Sequence, residues 1–503
     1  MNCLVKFFLD IYRYVYKLNG RIYTDRRRQI LAQKQLLTRI SNVLPYTAYS
    51  KDLSVKREPN PLTHIRNLPL QTYEEIYPWI ERAYNGERDV LWPGQVKWFS
   101  KSSGTTNARS KYIPVTHESI HENHLRAGRH MLAYYLQMNP KSKLTLGSIA
   151  TISGSIQEES PANARVGDIS AVVDCNLPIW AKLTKGIPKK ILEIKSWDER
   201  LPQAVAHLSK KDIRCLVGVT SWLLVLIEQT IQKAGKNNAL ELWPNLEVIF
   251  HGGVSIAPYR KKLKMIIPKY DLYLIEVFNA SEGFFAFQDT AEDTRGLLLA
   301  CKHGIWYEFR DLKTNHTCTI SEIELSKKYE LIITTLSGLW RYRTGDVVEV
   351  SSLEPIRIKV AGRTKAVLNT FGEEVMVGNI DTVIGLLNEK NYQIGEYTGT
   401  TIFPSETQKG GHEWIIETDN VQKENLSNFI EEFDNLLKKT NSDYEAKRRG
   451  DIILSAPEIH VVKKGVFNQW LAKRGKAGGQ NKVPRLSENR ELFEILLDFI
   501  HKD

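Results

Sequence analysis

Hydroxyl-bearing and glycine residues crowd one short stretch, residues 98–116, WFSKSSGTTNARSKYIPVT. Ser102, Ser103, Thr105 and Thr106 carry hydroxyls, and Gly104 lets the backbone turn close to a ligand and offer N–H groups to anionic oxygens. Lys111 adds positive charge where the chain leaves the loop. Such a stretch can cradle phosphate, although the same residue types also build an ordinary surface turn. It is not a Walker motif, which sets Gly-Lys-Ser/Thr at a helix start. Here Pro114 and Val115 predict an edge strand, with Thr116 capping the helix that follows.

Further stretches supply the complement of a nucleotide site. His251-Gly252-Gly253 ends a predicted strand with two glycines, which lets a flat ring approach the backbone. Phe278-Asn279-Ala280-Ser281-Glu282-Gly283 ends the next with a hydroxyl and a carboxylate, suited to phosphate and Mg2+. In Tyr342-Arg343-Thr344-Gly345-Asp346 the acid can accept from two vicinal ribose hydroxyls. Gly362-Arg363-Thr364-Lys365 follows, and GGQNKVPRL (residues 478–486) lies near the end of the chain. Each stretch alone also reads as a turn, a helix cap or a strand end; their order along the chain carries the weight.

One pattern points elsewhere. His117-Glu118-Ser119-Ile120-His121 matches the zinc-protease helix, two histidines one turn apart with a glutamate as base. After Glu122 no acidic residue appears before Glu158, and the extended pattern fails, with His124 at its Gly position and Ala127 at its third His. Metal-dependent proteolysis is not the expected chemistry.

The elements that must position these residues follow from length and pattern. At 503 residues the chain exceeds one ordinary core, and no stretch approaches the roughly 20 apolar residues of a membrane span, so a soluble protein is expected. Its five cysteines are scattered, with no zinc or disulfide spacing, which fits a reducing cytoplasm. Residues 1–20 read as an amphipathic helix and residues 26–44 continue a helical hairpin with it. Thr72 and Glu75 form a capping box for a helix that Pro78 must kink or restart.

After the hydroxyl-rich loop, β-branched runs at 213–219, 246–250 and 272–277 alternate with helical stretches at 222–233 and 259–267. The fold class is therefore α/β, a large N-terminal domain (1–361) of helix-covered sheets closed by a β-rich subdomain over 296–368. A small, mobile α+β C-terminal domain (362–503) follows. Net charge is +11, from 69 basic and 58 acidic residues. The excess gathers between Tyr444 and Arg485 with few interleaved aromatics, so a phosphate-rich small ligand explains it as well as nucleic acid does.

These stretches together resemble the adenylate-forming superfamily of acyl-CoA synthetases and luciferases. Within it, the chain is most similar to the auxin-responsive acyl acid amido synthetases of plants and their bacterial relatives. Thr72-Tyr73-Glu74-Glu75, Asn85-Gly86-Glu87, Asn441-Ser442-Asp443-Tyr444-Glu445-Ala446-Lys447-Arg448 and the terminal GGQNKVPRL carry that likeness. It departs at Asn107, where much of the superfamily has Gly.

The resemblance implies an ATP- and Mg2+-dependent ligase that adenylates a carboxylic acid and passes the acyl group to an amino acid or other amine. It implies no nucleic-acid or integral-membrane partner, and a cytoplasmic monomer is expected. By the same likeness Ser102 to Thr106 hold the β- and γ-phosphates, and Gly252, Gly253, Phe278 and Asn279 flank adenine. Ser281 and Glu282 serve the α-phosphate and Mg2+, and Asp346 fixes the ribose. Arg363 meets ribose or phosphate, Lys365 is the hinge, and His124 borders the acyl pocket. Lys482, with Lys476 as rival, is the lysine that stabilises charge developing at the α-phosphate. A thioester-forming ligase and a non-enzymatic basic binding module remain the alternatives.

Overall fold

The computed structural model describes residues 25–102, 111–151, 154, 156–194, 197–253, 256, 260–291, 295–364, 367–405, 408–451, 453–473, 484–487 and 490–502. The helix expected over residues 1–20 and the loop residues 103–110 lie outside these. The chain divides into two compact units. Met1–Ser102, Tyr112–Gly253 and Ile266–Thr364 form the first, and Ser103–Lys111, Val254–Met265 and Lys365–Asp503 the second. The division falls at Thr364 because the last strand of the first unit carries Gly362 and Arg363 in register with Val347 and Asp346.

Among the described residues fifteen strands build the first unit. They begin with β1 (Trp98–Ser102), β2 (Lys111–Val115), β3 (Ser148–Thr151), β4 (Ile156–Glu159), β5 (Arg165–Gly167), β6 (Ile213–Val219), β7 (Val248–Gly252) and β8 (Tyr273–Ala280). They continue with β9 (Gly283–Phe287), β10 (Leu297–Leu299), β11 (Ile305–Asp311), β12 (Thr317–Thr319), β13 (Lys328–Thr335), β14 (Tyr342–Leu353) and β15 (Ile356–Arg363). A small sheet has the order β2-β1-β5-β4, and the other strands form one eleven-stranded sheet, β12-β11-β13-β14-β15-β10-β9-β8-β7-β6-β3.

In the large sheet β3, β6, β7 and β8 pair in parallel, and every pairing from β8·β9 to the far edge is antiparallel. Connection length decides which: parallel neighbours need a crossover such as the helix Thr220–Ala234, whereas a short turn reverses the chain. The β-rich stretch expected after Gly296 is thus the antiparallel half of the same sheet.

Apolar stripes on the helices cover this sheet. Arg26–Val43 and Tyr73–Tyr84 place Leu37, Ile40, Ile76 and Ile80 in one core with Tyr307, Phe309, Ile333 and Trp340. Each fully buried side chain of this kind contributes roughly 1.5–3 kcal/mol. A polar contact sets the register: buried Gln33 donates to the Cys301 and Ile305 carbonyls at 2.7 and 2.8 Å and accepts from the Tyr307 N–H at 3.0 Å. The capping box forms, with the Glu75 carboxylate accepting from the Thr72 N–H at 2.7 Å. No restart occurs at Pro78: one helix spans Tyr73–Tyr84, and the buried Ile76, Ile80 and Ala83 on either side hold it despite the lost backbone bond.

In the second unit, β16 (Val367–Leu368) pairs with β17 (Val375–Met376), and a four-stranded sheet has the order β20-β19-β18-β21. Its strands are β18 (Tyr397–Ile402), β19 (Gly411–Glu417), β20 (Glu458–Val462) and β21 (Leu486–Ser487). Helices Val377–Glu389 and Leu426–Thr440 complete an α+β module. Among the described residues no helix is long and apolar enough to cross a membrane.

Candidate functional site

In open α/β sheets ligands bind outside the carboxyl ends of the parallel strands, and Gly252, Gly253, Ser281 and Glu282 lie at the ends of β7 and β8. β7 stops at Gly252, paired with Val277. A Cβ on Gly252 would stand 2.3 Å from the Val277 carbonyl oxygen, and Gly253 turns the chain at φ +79°. Both glycines are required by the backbone, and together they leave the strand end bare of side chains.

Ser281 and Glu282 are the two residues of the turn joining β8 to β9, closed by the Ala280 and Gly283 pair. This turn is held from behind. Asn123 donates to the Phe284 and His303 carbonyls at 3.1 and 2.7 Å and accepts from the Phe284 N–H at 2.7 Å. Phe278 packs edge-on against Phe285, ring centroids 4.9 Å apart, and joins the large core.

Asp346 is 6 % exposed and faces Arg363 across β14 and β15, with Arg363 Nε 3.1 Å from Asp346 Oδ1. Two residues read separately in the sequence are therefore one cross-strand ion pair. Tyr342, on the same strand, has a fully buried hydroxyl without a hydrogen-bond partner among the described residues. Burial holds its phenol well above the ordinary value, and the charges of Glu282, Glu74 and Asp346 push it further. One phenol thus feels both the hairpin turn and the β14 acid. Replacing Asp346 with Ala is expected to weaken ATP binding about ten- to a hundredfold, the loss of a charged hydrogen bond of about 1.5–3 kcal/mol. Calorimetry showing unchanged affinity removes Asp346 from the site.

The segment after β2 departs from a regular helix. Thr116 caps it, accepting from the Ser119 N–H at 3.1 Å, and Ser119–His124 forms a π-helical turn before the helix Leu125–Met138. π-turns recur at functional sites. His117 and His121 bring their rings to 4.2 Å, but Glu122 is committed to Arg39 at 2.7 Å. Among the described residues no three His, Cys, Asp or Glu side chains gather as metal ligands.

His124 is 6 % exposed, and burial lowers its pKa to about 4, partly offset by hydrogen bonding with the Asn279 side chain. Its Nδ1 has no partner among the described residues. His130 and His303 share a buried contact of 2.9 Å, both lowered by burial. These three rings stay neutral in the folded protein but take up protons near 6.5 once unfolded. The unfolded chain then binds more protons below that pH, so stability is full above about pH 6.5 and falls as the solution is acidified toward 4. The expected slope is about 1.4 kcal/mol per pH unit for each ring; urea midpoints that do not move between pH 7 and 5 would contradict it.

Ser102 ends β1 and Lys111 begins β2, while Ser103, Gly104, Thr105 and Thr106 fall outside the described residues, as do Lys365, Lys476 and Lys482. In the second unit residues 484–487 are anchored: Thr398 donates to the Pro484 carbonyl at 2.6 Å and the Gly399 N–H to that of Arg485 at 2.9 Å. The stretch from Asn441 to Arg448 is scaffold. Asn441 caps the helix Ser442–Arg448 and donates to the Glu373 carbonyl at 3.0 Å, Lys447 donates to the Gly372 carbonyl at 2.8 Å, and Arg448 pairs with buried Asp434. Reading the sequence alone missed Asn123 and gave Tyr342 no role. The one available signal was their adjacency to His124 and to the Arg-Thr-Gly-Asp run.

Three models of one family match the chain in order. The GH3 family N-terminal domain covers residues 20–272, the GH3 family central domain 298–363 and the GH3 family C-terminal domain 379–491. The indole-3-acetic acid-amido synthetase GH3.15 of Arabidopsis thaliana is 22% identical, with 86% of each chain covered. The jasmonoyl-L-amino acid synthetase GH3.5 of Oryza sativa subsp. japonica is 22% identical, covering 92% of this chain and 94% of its own. Two solved structures share the fold. A GH3.15 acyl acid amido synthetase has TM-score 0.60 at 19% identity, covering 96% of this chain and 95% of that one. A 2-hydroxyisobutyryl-CoA ligase has TM-score 0.58 at 12% identity, covering 95% and 93%. The central-domain match coincides with the antiparallel half of the large sheet, and the N-terminal match alone spans just over half of the chain. The chain belongs to the GH3 family.

Proposed function

We propose that this protein is an ATP-dependent acyl acid amido synthetase, which adenylates a carboxylic acid and transfers the acyl group to an amino acid. The observation that carries this reading is the match of all three GH3 domains, in order, along one chain. The curated relatives bear the names of amido synthetases for different acids, so they support the reaction class more than any one acid.

The chemistry answers a specific difficulty. A carboxylate resists nucleophiles because its charge is delocalised, and joining it to the α-phosphate of ATP, with release of pyrophosphate, gives a mixed anhydride. The amine nitrogen then attacks the acyl carbon, and AMP leaves with the electron pair of the broken C–O bond. Asp346, oriented by Arg363, accepts from the ribose. Gly252 and Gly253 leave room for the base, and the Ser102 to Thr106 loop with Lys111 meets the β- and γ-phosphates. Ser281 and Glu282 lie at the α-phosphate.

A turn bearing a single carboxylate, whose charge is felt by a buried phenol without a partner among the described residues, fits Mg2+, which usually takes one or two protein carboxylates and completes its shell with phosphates and water. Glu282 would hold it, and when bound the ion neutralises charge on the phosphate oxygens. The second unit carries Lys482 and works as a mobile partner hinged at Lys365. The basic excess serves phosphate-bearing small ligands, not nucleic acid, in a cytoplasmic monomer.

AMP release from purified protein, ATP and a panel of carboxylic acids decides the matter. Release that requires both an acid and an amino acid supports the reading. Release that requires an acid and coenzyme A instead moves the protein to the thioester-forming ligases.

A further inference from the structure

The helix Leu125–Met138 lies along β8 with the two chains running in opposite directions, and their shared seam changes character at one end. At the start of β8, Tyr273 meets Tyr135 edge-on at 5.4 Å, and its hydroxyl donates to the Met138 carbonyl at 3.3 Å. Ile275 shares a cluster with Tyr135 and Leu136, and Val277 packs with Ala127 and Met131. The next residue in this row is Asn279, and its neighbour is His124. The irregularity in the β8·β9 ladder passes over Phe285 of β9, so the alternation of β8 is kept. An apolar seam therefore ends in an imidazole and an exposed carboxamide, at the strand end where ligands bind.

Two further facts bear on that end. The His124 Nδ1 is buried and has no partner among the described residues, and the π-helical turn that holds it is fastened to the hairpin by Asn123. Phe278, on the opposite face of β8, is occupied by Phe285 and the core. We propose that His124 and Asn279 recognise the non-reacting end of the acid, and that this end carries a neutral hydrogen-bonding substituent, a hydroxyl or an N–H. The proposal rests on the amido synthetase reading and moves Asn279 from the adenine to the acid.

The direction follows from the hairpin. The acid's carboxylate must meet the α-phosphate at Ser281 and Glu282, so its far end lies beside the residues flanking that turn, and the helix side offers Asn279 and His124. An apolar end would leave the buried nitrogen unsatisfied, as it is in the free protein, and gain no hydrogen bond there, while a second carboxylate would be desolvated against a ring that carries no charge. Sites built to hydrogen-bond a substituent reject the analogue that lacks it far more strongly than apolar pockets reject an extra methylene.

The test uses the full chain and matched pairs of acids differing by one hydroxyl, such as 4-hydroxybenzoate with benzoate and 4-hydroxyphenylacetate with phenylacetate. The readouts are acid-dependent exchange of pyrophosphate into ATP and calorimetric binding of each acid. The protein is expected to favour the hydroxylated member at least tenfold in kcat/KM. In His124→Phe the preference should fall below threefold, with KM for ATP moving less than twofold, and Asn279→Leu, altered at an exposed position, repeats the result should His124→Phe fold poorly. Preference for the unsubstituted member in every pair, or a hydroxyl preference that survives in both variants, overturns the proposal. Exchange without hydroxyl preference sinks this inference alone. No exchange and no binding with any acid sinks the amido synthetase reading and this inference with it.

Discussion

Lys482→Ala is expected to slow acid-dependent pyrophosphate release by about two to three orders of magnitude, the usual cost of removing one group aimed at developing charge. Affinity for ATP should stay nearly intact. The argument is one of timing. As the acid's oxygen approaches the α-phosphate, negative charge accumulates on the bridging and non-bridging oxygens, and a lysine brought up at that moment binds the transition state more tightly than ground-state ATP. The chain is anchored to β18 from Pro484 onward, two residues past this lysine, which gives the segment a fixed end. Acyl transfer from chemically prepared acyl-adenylate should proceed at the unaltered rate in the variant, because the mixed anhydride already exists. A variant that adenylates normally would pass the role to Lys476 or to no C-terminal lysine.

What could be read from the residues alone was local. The capping box at Thr72 and Glu75 and the glycines at the end of β7 depend on neighbours in sequence, and the structure shows the box made and both glycines required by the backbone. What could not be read depends on pairing. Nothing in the spacing of Asp346 and Arg363 announces an ion pair until β14 turns back as β15 and sets them opposite each other. β15 itself, IRIKVAGR, was hidden because its charged residues and glycine interrupt the apolar run, whereas pairing on both sides is what makes it a strand. Asn123 and Tyr342 are common residue types. Only the carbonyls that close around the first, and the burial that leaves the second without a partner among the described residues, distinguish them. Asn441 to Arg448, one of the stretches that carry the family likeness, is the frame of the second unit.

Arg341→Met is expected to destabilise the first unit by about 3–5 kcal/mol, the cost of leaving a buried charge without its partner. Arg341 is 7 % exposed and occupies left-handed backbone at φ +43° in the connection just before Tyr342. Its guanidinium donates to both oxygens of Glu308, Nε to Oε2 at 2.9 Å and Nη2 to Oε1 at 3.0 Å, while Nη1 donates to the Leu68 and Arg66 carbonyls at 2.8 and 3.1 Å. Glu308 is 1 % exposed, and with Arg341 gone its nearest cation is Arg66 at 3.8 Å. The same contacts fix the start of β14, so the variant should also raise KM for ATP through Asp346, four residues from the strand's first position. The pair is costly to break yet contributes little beyond an apolar pair of similar volume, because two charges had to leave water to form it. The double variant Arg341→Met with Glu308→Leu should therefore recover most of the lost stability in urea unfolding while KM for ATP stays high, since two methyl-bearing chains refill the volume but hold neither Leu68 nor Arg66. A single variant as stable as the parent, or a double variant no better than the single one, would show that the Glu308 charge is not what this arginine is there to hold.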